Sequence, residues 1–385
     1  MSYHYNGELH RKYYDMGMIR LSNVFNSIQT WLFPELRDEV GELTEQQKEF
    51  VRVAEALDLP RHAHLYDKCS DEPGRPPKDR LAILKSFIYK SIHKLPTTKA
   101  LISIVRSSAS ARRLFGWETV SEIPSESTFS RAFAEFAKTN LLDEIHGVFV
   151  KENADGRIAQ NLSRDSTAIQ GREKPVAKPK KAKKAKSKAE KKQAKRMKGQ
   201  ATAKELTVIE RQLDKTFAEN LAALPTACDW GGKRNSSGNT IIREGYNLHI
   251  DTIDGDIPVS ALLTSASVHD SQAAIPLAQK SQARVVNFYD LMDSAYDAKP
   301  IKEFSARLNH VPVIDHNPRR GEKIDFDPAK AERYKARSGA ERVNSTAKDN
   351  YGANNVRVRG HVKVFCHLMF GILTVTVNQF HKLLT

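Results

Sequence analysis

Apolar residues recur at helical spacing through roughly the first 155 positions. Leu81, Ile83, Leu84, Phe87, Ile88, Ile92 and Leu95 form one stripe. Pro96, Thr97 and Thr98 then supply a break and an N-cap for a second helix through Leu101, Ile102 and Val105. After Pro124, with Ser125 or Ser127 as cap, a third stripe runs through Phe129, Phe133, Phe136, Leu141, Leu142, Ile145 and Phe149. Short helices joined by polar turns suit a helix-turn-helix assembly that reads DNA, and they equally suit a plain helical bundle.

From about residue 158 the period changes. Ile158 to Ile169 reads as a strand, and Glu244 to Asp254 with Ile257 to Thr264 reads as a hairpin around an Asp-Gly turn. Ala273 to Gln282 is helical. The almost unbroken apolar run Arg284 to Met292 predicts a strand buried on both faces. A helix over Pro300 to Leu308, a strand over His310 to Ile314 and a terminal apolar run, Val364 to Val377, complete the pattern. That last run is short for a bilayer span and reads as a buried helix, so no membrane partner is expected. A mixed α/β layered domain (156–385) after an all-helical one (1–155) is the predicted architecture.

Charge adds an insertion to this picture. The 385-residue chain has 61 Lys+Arg against 46 Asp+Glu, a net +15. Residues 172–198 hold fourteen basic and two acidic residues, hence +12 of it. Leu206, Ile209, Leu213, Phe217, Leu221 and Leu224 follow at steps of three and four, predicting one amphipathic helix over 204–224. Residues 171–240 are thus a Lys-rich, helical insertion after the first core strand. A polycation there, with Lys180, Lys181, Lys183 and Lys184 at its centre, is expected to contact nucleic-acid phosphates. Cys69, Cys228 and Cys366 are isolated, which predicts neither disulfides nor a thiolate zinc site and favours a reducing compartment. Met1 to Tyr14 has no apolar signal-peptide core, and no Gly-rich phosphate loop is present.

The candidate chemistry lies near the C-terminus. Placed on one helix advancing about 100° per residue, Tyr334, Arg337, Glu341 and Lys348 share a narrow face, while Ala336, Ala340, Val343 and Ala347 form an apolar face for packing. Gly339 costs such a helix about 1 kcal/mol, which only tertiary contacts can offset. A carboxylate among Tyr, Arg and Lys suits a metal beside a phosphate, although an ordinary surface helix with an Arg337–Glu341 pair has the same residues. Two further acids stand at strand positions: Asp165, in Asp165-Ser166-Thr167, and Asp293, at the end of the apolar run. Asp290 competes with Asp293 for that role. Asp251, Asp254 and Asp256 read as turn chemistry rather than a calcium loop, and Asp270 as the cap of the helix after it.

The spacing Tyr-x2-Arg-x3-Glu-x6-Lys, the upstream Asp-Ser-Thr strand and Asp293-x-Ala-Tyr-Asp resemble the DDE transposases of bacterial insertion sequences, in particular family four and the neighbouring family five. Gly245-Tyr246-Asn247-Leu248-His249, Val268-His269-Asp270-Ser271 and Pro124 to Arg131 extend the resemblance over most of the chain. It implies an RNase H-like mixed sheet flanked by helices, with Asp165, Asp293 and Glu341 as catalytic residues holding two Mg²⁺ ions, or Mn²⁺ in their place. It also implies that Tyr334, Arg337 and Lys348 bind the end phosphates of double-stranded DNA, both inverted-repeat ends and target, in a homodimer. The protein would work in the bacterial cytoplasm at the nucleoid. Some relatives place a β-rich insertion between the last core strand and the glutamate helix; here the insertion follows the first strand, so Trp230 is expected to be a packing aromatic. Two other readings are a non-catalytic DNA-binding repressor or architectural protein, and an RNase H-like nuclease without strand transfer.

Overall fold

In the computed structural model, residues 43–66, 78–175, 206–234, 239–319 and 321–384 are described. Thr44 caps α1 (Glu45–Ala56) through a reciprocal capping box with Gln47. After the short α2 (Ala63–Tyr66), the expected stripes become α3 (Arg80–Ile92), and α4 (Thr98–Ser107) capped by Thr97 Oγ1 on Ala100 N. Ser108 caps a further helix, α5 (Ala109–Phe115), which ends at left-handed Gly116. The third stripe divides into α6 (Glu126–Lys138) and α7 (Leu141–Ala154), because Asn140 turns the backbone left-handed at φ 55°. Ser125 takes the cap position without capping; its hydroxyl meets Ser127 and Thr128 instead.

The second region is a six-stranded mixed sheet. Its strands are β1 (Ile158–Gln170), β2 (Asp229–Arg234), β3 (Thr240–Ile253), β4 (Ile257–Ser265), β5 (Val286–Met292) and β6 (Val311–Ile314). The order is β2-β3-β1-β5-β6, with β4 also on β3; β1 runs antiparallel to β3 and parallel to β5. Helices α8 (Val208–Gln212) and α9 (Phe217–Ala223) precede β2, α10 (Ser271–Gln282) follows β4, α11 (Lys299–Arg307) joins β5 to β6, and α12 (Pro328–Tyr334), α13 (Ser338–Asn350) and α14 (His361–Leu384) close the chain. This is the expected RNase H-like arrangement of a mixed sheet flanked by helices and preceded by helices.

Three expectations change. The single helix over 204–224 is two, because Thr216 opens a second capping box with Glu219, and Asn220 Nδ2 donates to Gln212 O and Lys215 O across the break. β5 is buried on both faces only in its second half: Val286 and Phe288 are exposed, whereas Asp290, Leu291 and Met292 are buried. Trp230 is 55% exposed on β2. Its neighbour Gly231 faces inward, where a Cβ would lie 2.3 Å from Ala266 O, so strand alternation turns the indole outward.

Helix α14 explains why the two regions share a core. It has 24 residues, is long and apolar enough to cross a membrane, and is mostly buried, against α3, α6, α7, β4 and α13. One apolar cluster therefore runs from Phe50, Leu84 and Phe129 through Met369 and Leu373 to Leu248 and Val259. A buried polar knot reinforces the same junction. Asp143 of α7 pairs with Lys280 (2.6 Å) and Arg284 (3.1 Å). Burial raises the Asp143 pKa, but those cations outweigh it and hold the group at about 2. Arg284 Nη1 also donates to His146 Nδ1 (2.9 Å), so Nε2 carries the proton near Pro258 O and Thr376 Oγ1.

Candidate active site

Asp165 lies on β1 between two hydrogen-bonded neighbours, β3 and β5. The parallel register pairs Arg164 with Met292, the residues just before Asp165 and Asp293, and both acids act electrostatically on Tyr296 and Arg337. Asp293 leaves β5 by capping a 3₁₀ turn, its Oδ1 accepting from Ala295 N (2.9 Å). Asp290 is elsewhere. It is 2% exposed and bound to Asn287 Nδ2 (2.9 Å) and His310 Nδ1 (3.3 Å), inside the layer between β5 and β6.

The signature helix is not one helix. α12 ends at Tyr334, Lys335–Arg337 form a 3₁₀ turn, and α13 begins at Ser338. Ser163 Oγ donates to Ala336 O (3.3 Å), tying this bend to β1 beside Asp165. The apolar face still packs as expected, with Ala340, Val343 and Ala347 buried. Gly339 also finds its compensation: a Cβ there would lie 2.8 Å from Asp256 Oδ1, and Asp256 accepts two 2.7 Å hydrogen bonds from Arg342. A side chain at 339 would push against the Asp256–Arg342 pair where the β3–β4 turn meets α13.

Arg337 links the acids. Its Nη2 donates to Glu341 Oε1 (2.5 Å), and its Nη1 is 3.6 Å from Asp165 Oδ1 without a hydrogen bond of its own. Burial weakens the Arg337 charge, but Tyr334, Asp165, Glu341 and Asp293 together outweigh it and raise the guanidinium above its ordinary value. Its carbon sits 5.8 Å over the Tyr334 ring, and Tyr334 is itself pushed up to about 12, chiefly by burial. Lys348 is half-buried two turns beyond Glu341 on α13. Lys180, Lys181, Lys183 and Lys184 lie outside the described residues.

Two residues escaped the sequence reading. Asn344 Nδ2 donates to Asp165 Oδ2 (3.0 Å), one turn after Glu341 on the buried side of α13. Its position three residues beyond the glutamate was the available signal. Tyr296 is fully buried with an unpartnered hydroxyl; burial raises its pKa far above normal, and the charges of Asp270, Asp165 and Asp293 add to this. The other acids have separate tasks. Asp251 pairs with buried Arg164, and Asp254 accepts from Asn161 N and Nδ2. Asp270 does not cap α10: its carboxylate faces His249 at 3.9 Å, and His269 Nδ1 accepts from Ser271 N instead.

Among the described residues, no three His, Cys, Asp or Glu side chains converge tightly enough to hold one metal ion. The three acids meet at Arg337. The donor chemistry nonetheless fits a hard divalent cation, since the ligands on offer are carboxylate oxygens and Asn344 Oδ1 is buried there without a partner, while the unpartnered Arg337 Nη1 is a donor suited to an anion.

Comparison with known families agrees with this geometry. A family model described as a transposase DDE domain matches residues 162–377, more than half of the chain, and one described as a transposase domain matches 38–135. No curated protein and no solved structure matches.

Proposed function

The chain belongs to the DDE transposases of insertion sequences, and from that premise we propose that it binds the inverted-repeat ends of its element, cleaves them and joins the 3′-hydroxyls to target DNA. The observation that carries the reading is that Asp165, Glu341 and Asp293 all act on one guanidinium, Arg337, which lies 3.6 Å from Asp165 and bonds to Glu341. Asp165, Asp293 and Glu341 would hold two Mg²⁺ ions, with Mn²⁺ able to take their place. When bound, such ions activate a water or 3′-hydroxyl and stabilise the leaving 3′-oxygen.

The chain's own residues do the rest. Asn344 holds the Asp165 carboxylate by one oxygen, leaving Oδ1 facing the site. Arg337 presents a planar fork that grips a phosphate by two hydrogen bonds, with Tyr334 beneath it and Lys348 further along α13. The helices before residue 155 bind the ends, the residues from 156 do the chemistry, and the lysines of 172–198 add sequence-independent contacts. Two ends handled together require a homodimer on DNA. Such a protein works in the cytoplasm, at the nucleoid.

Strand cleavage of a duplex carrying the element's end, with Mg²⁺ present, tests the site. Asp165→Ala, Asp293→Ala and Glu341→Ala should each lose cleavage and keep end binding; cleavage surviving in any one removes that residue from the site.

A further inference from the structure

A cavity of about 90 Å³ opens where the helical region meets the end of the candidate-site helix. Phe87, Phe133 and Phe370 line its apolar floor, and Lys90, Lys94, Thr98, Ser130 and Asn355 supply its polar atoms. Among the described residues, no aspartate or glutamate lines it. At about 10–15 Å³ for each water centre, it has room for several waters or one tetrahedral oxyanion.

The lysines are held in place without acidic neighbours. Lys94 Nζ donates to Asn350 Oδ1 (3.3 Å), the last residue of α13, while Ser91 Oγ donates to Tyr351 O (3.1 Å) and fastens α3 to the same link. Lys90 has no ion pair, and burial alone pulls its ammonium down to about 8. His367, at the back, is lowered to about 4 by burial and then by the Lys90 charge, so it stays neutral and donates to Gly352 O (3.2 Å). Asn355 Oδ1 in turn accepts from Arg357 Nε (2.9 Å). Cations gathered over an apolar floor, with no carboxylate to neutralise them, leave an unmet demand for an anion.

We propose that this cavity is a phosphate subsite in which Lys90 and Lys94, with the hydroxyls of Thr98 and Ser130, grip one phosphate of the DNA backbone. A phosphate there would bridge α3, α4 and α6 to the end of α13, the helix that carries Glu341, coupling bound DNA to the position of the candidate-site helix. That the phosphate belongs to DNA rests on the transposase reading; that the cavity takes a phosphate does not.

The full-length chain and its Lys90→Met/Lys94→Gln double variant provide the test. In chloride each protein's midpoint is the reference for its own phosphate response, since Lys94→Gln alters the bond to Asn350 and Lys90→Met removes a charge that burial disfavours. Inorganic phosphate at matched ionic strength should raise the unfolding midpoint of the natural chain and not that of the variant. On a duplex, the slope of log Kd against log salt should become shallower by about 0.9, the contribution of one phosphate contact. Phosphate stabilisation equal in both proteins, or absent from both, overturns the subsite. Lysine-dependent stabilisation with an unchanged DNA slope assigns the cavity to a free phosphate compound and overturns the DNA part alone. A shallower slope without phosphate stabilisation makes the lysines diffuse surface charge and removes the cavity from the account.

Discussion

Arg164 and Asp165 are consecutive residues of β1, and each meets an opposite charge on opposite sides of the sheet. Arg164 is 2% exposed and locked to Asp251 by two hydrogen bonds of 2.8 and 2.7 Å, with Ser281 Oγ donating to the same carboxylate (2.6 Å). Asp165 meets Arg337 at 3.6 Å, 17% of each side chain is exposed, and the nearer guanidinium nitrogen makes no hydrogen bond. The first pair is closed by hydrogen bonds and sealed, with Asp290 a more distant second charge on Arg164. In the second, one guanidinium feels three acids, and room and unused hydrogen-bonding capacity remain. A sealed pair braces the strands, whereas an open, unbalanced one retains the capacity to take a ligand.

Asp165→Ala should break the open side most severely, lowering end cleavage about 10³-fold or more if several kcal/mol of transition-state stabilisation pass through that carboxylate. Folding, followed by circular dichroism, should survive. On the sealed side, Asp251→Ala strands a buried guanidinium and should cost about 3–5 kcal/mol in urea unfolding, while Arg164→Met with Asp251→Leu recovers most of it. A small loss for Asp251→Ala alone would show that water reaches the pair and would end the contrast. Arg337→Lys keeps the charge and removes the fork, so end binding should weaken about 10-fold, or roughly 1.4 kcal/mol, in a gel-shift titration.

The buried junction responds to acid through His146. Burial first, and then Arg284, hold His146 near 3, while an unfolded histidine titrates near 6.5. Between those values the unfolded chain binds a proton that the folded chain does not, so stability falls as pH drops from about 6.5 towards 3. At pH 5.5 the loss is about 1.4 kcal/mol, and His146→Gln should flatten the stability–pH slope by one proton in unfolding titrations from pH 7 to 5. Asn344→Ala should have the smallest effect. One hydrogen bond to Asp165, worth about 1 kcal/mol, should appear as a several-fold loss of cleavage with end binding unchanged.

Much of this was legible from local pattern. The stretch Pro96-Thr97-Thr98 predicts a break and a cap, and Thr97 caps; of the predicted packing face Ala340, Val343 and Ala347 are buried, whereas Ala336 lies half-buried in the 3₁₀ turn. The edges of β1, β4 and β6 fall within a residue or two of their hydrophobic runs. What was not legible concerns partners far along the chain. Asn140, Thr216 and the 3₁₀ turn at Lys335 divide segments that look continuous, because a cap or a tertiary anchor such as Ser163 on Ala336 competes with helix propagation. Trp230 faces outward because Gly231 must approach Ala266, and nothing near Trp230 in sequence announces that contact.

By itself, then, the order of residues determined the element types, the helical and sheet regions, and the three acids with their Tyr-Arg-Glu-Lys signature, since these depend on period and spacing within short windows. Only the tertiary structure decided that β1 and β5 are paired just before Asp165 and Asp293, that Asp290 is sealed against His310, and that Arg337 stands among the acids. Strand register and the packing of α13 on β1 join residues more than a hundred positions apart. A local pattern sets which face a side chain takes, but not which distant charge it will meet there.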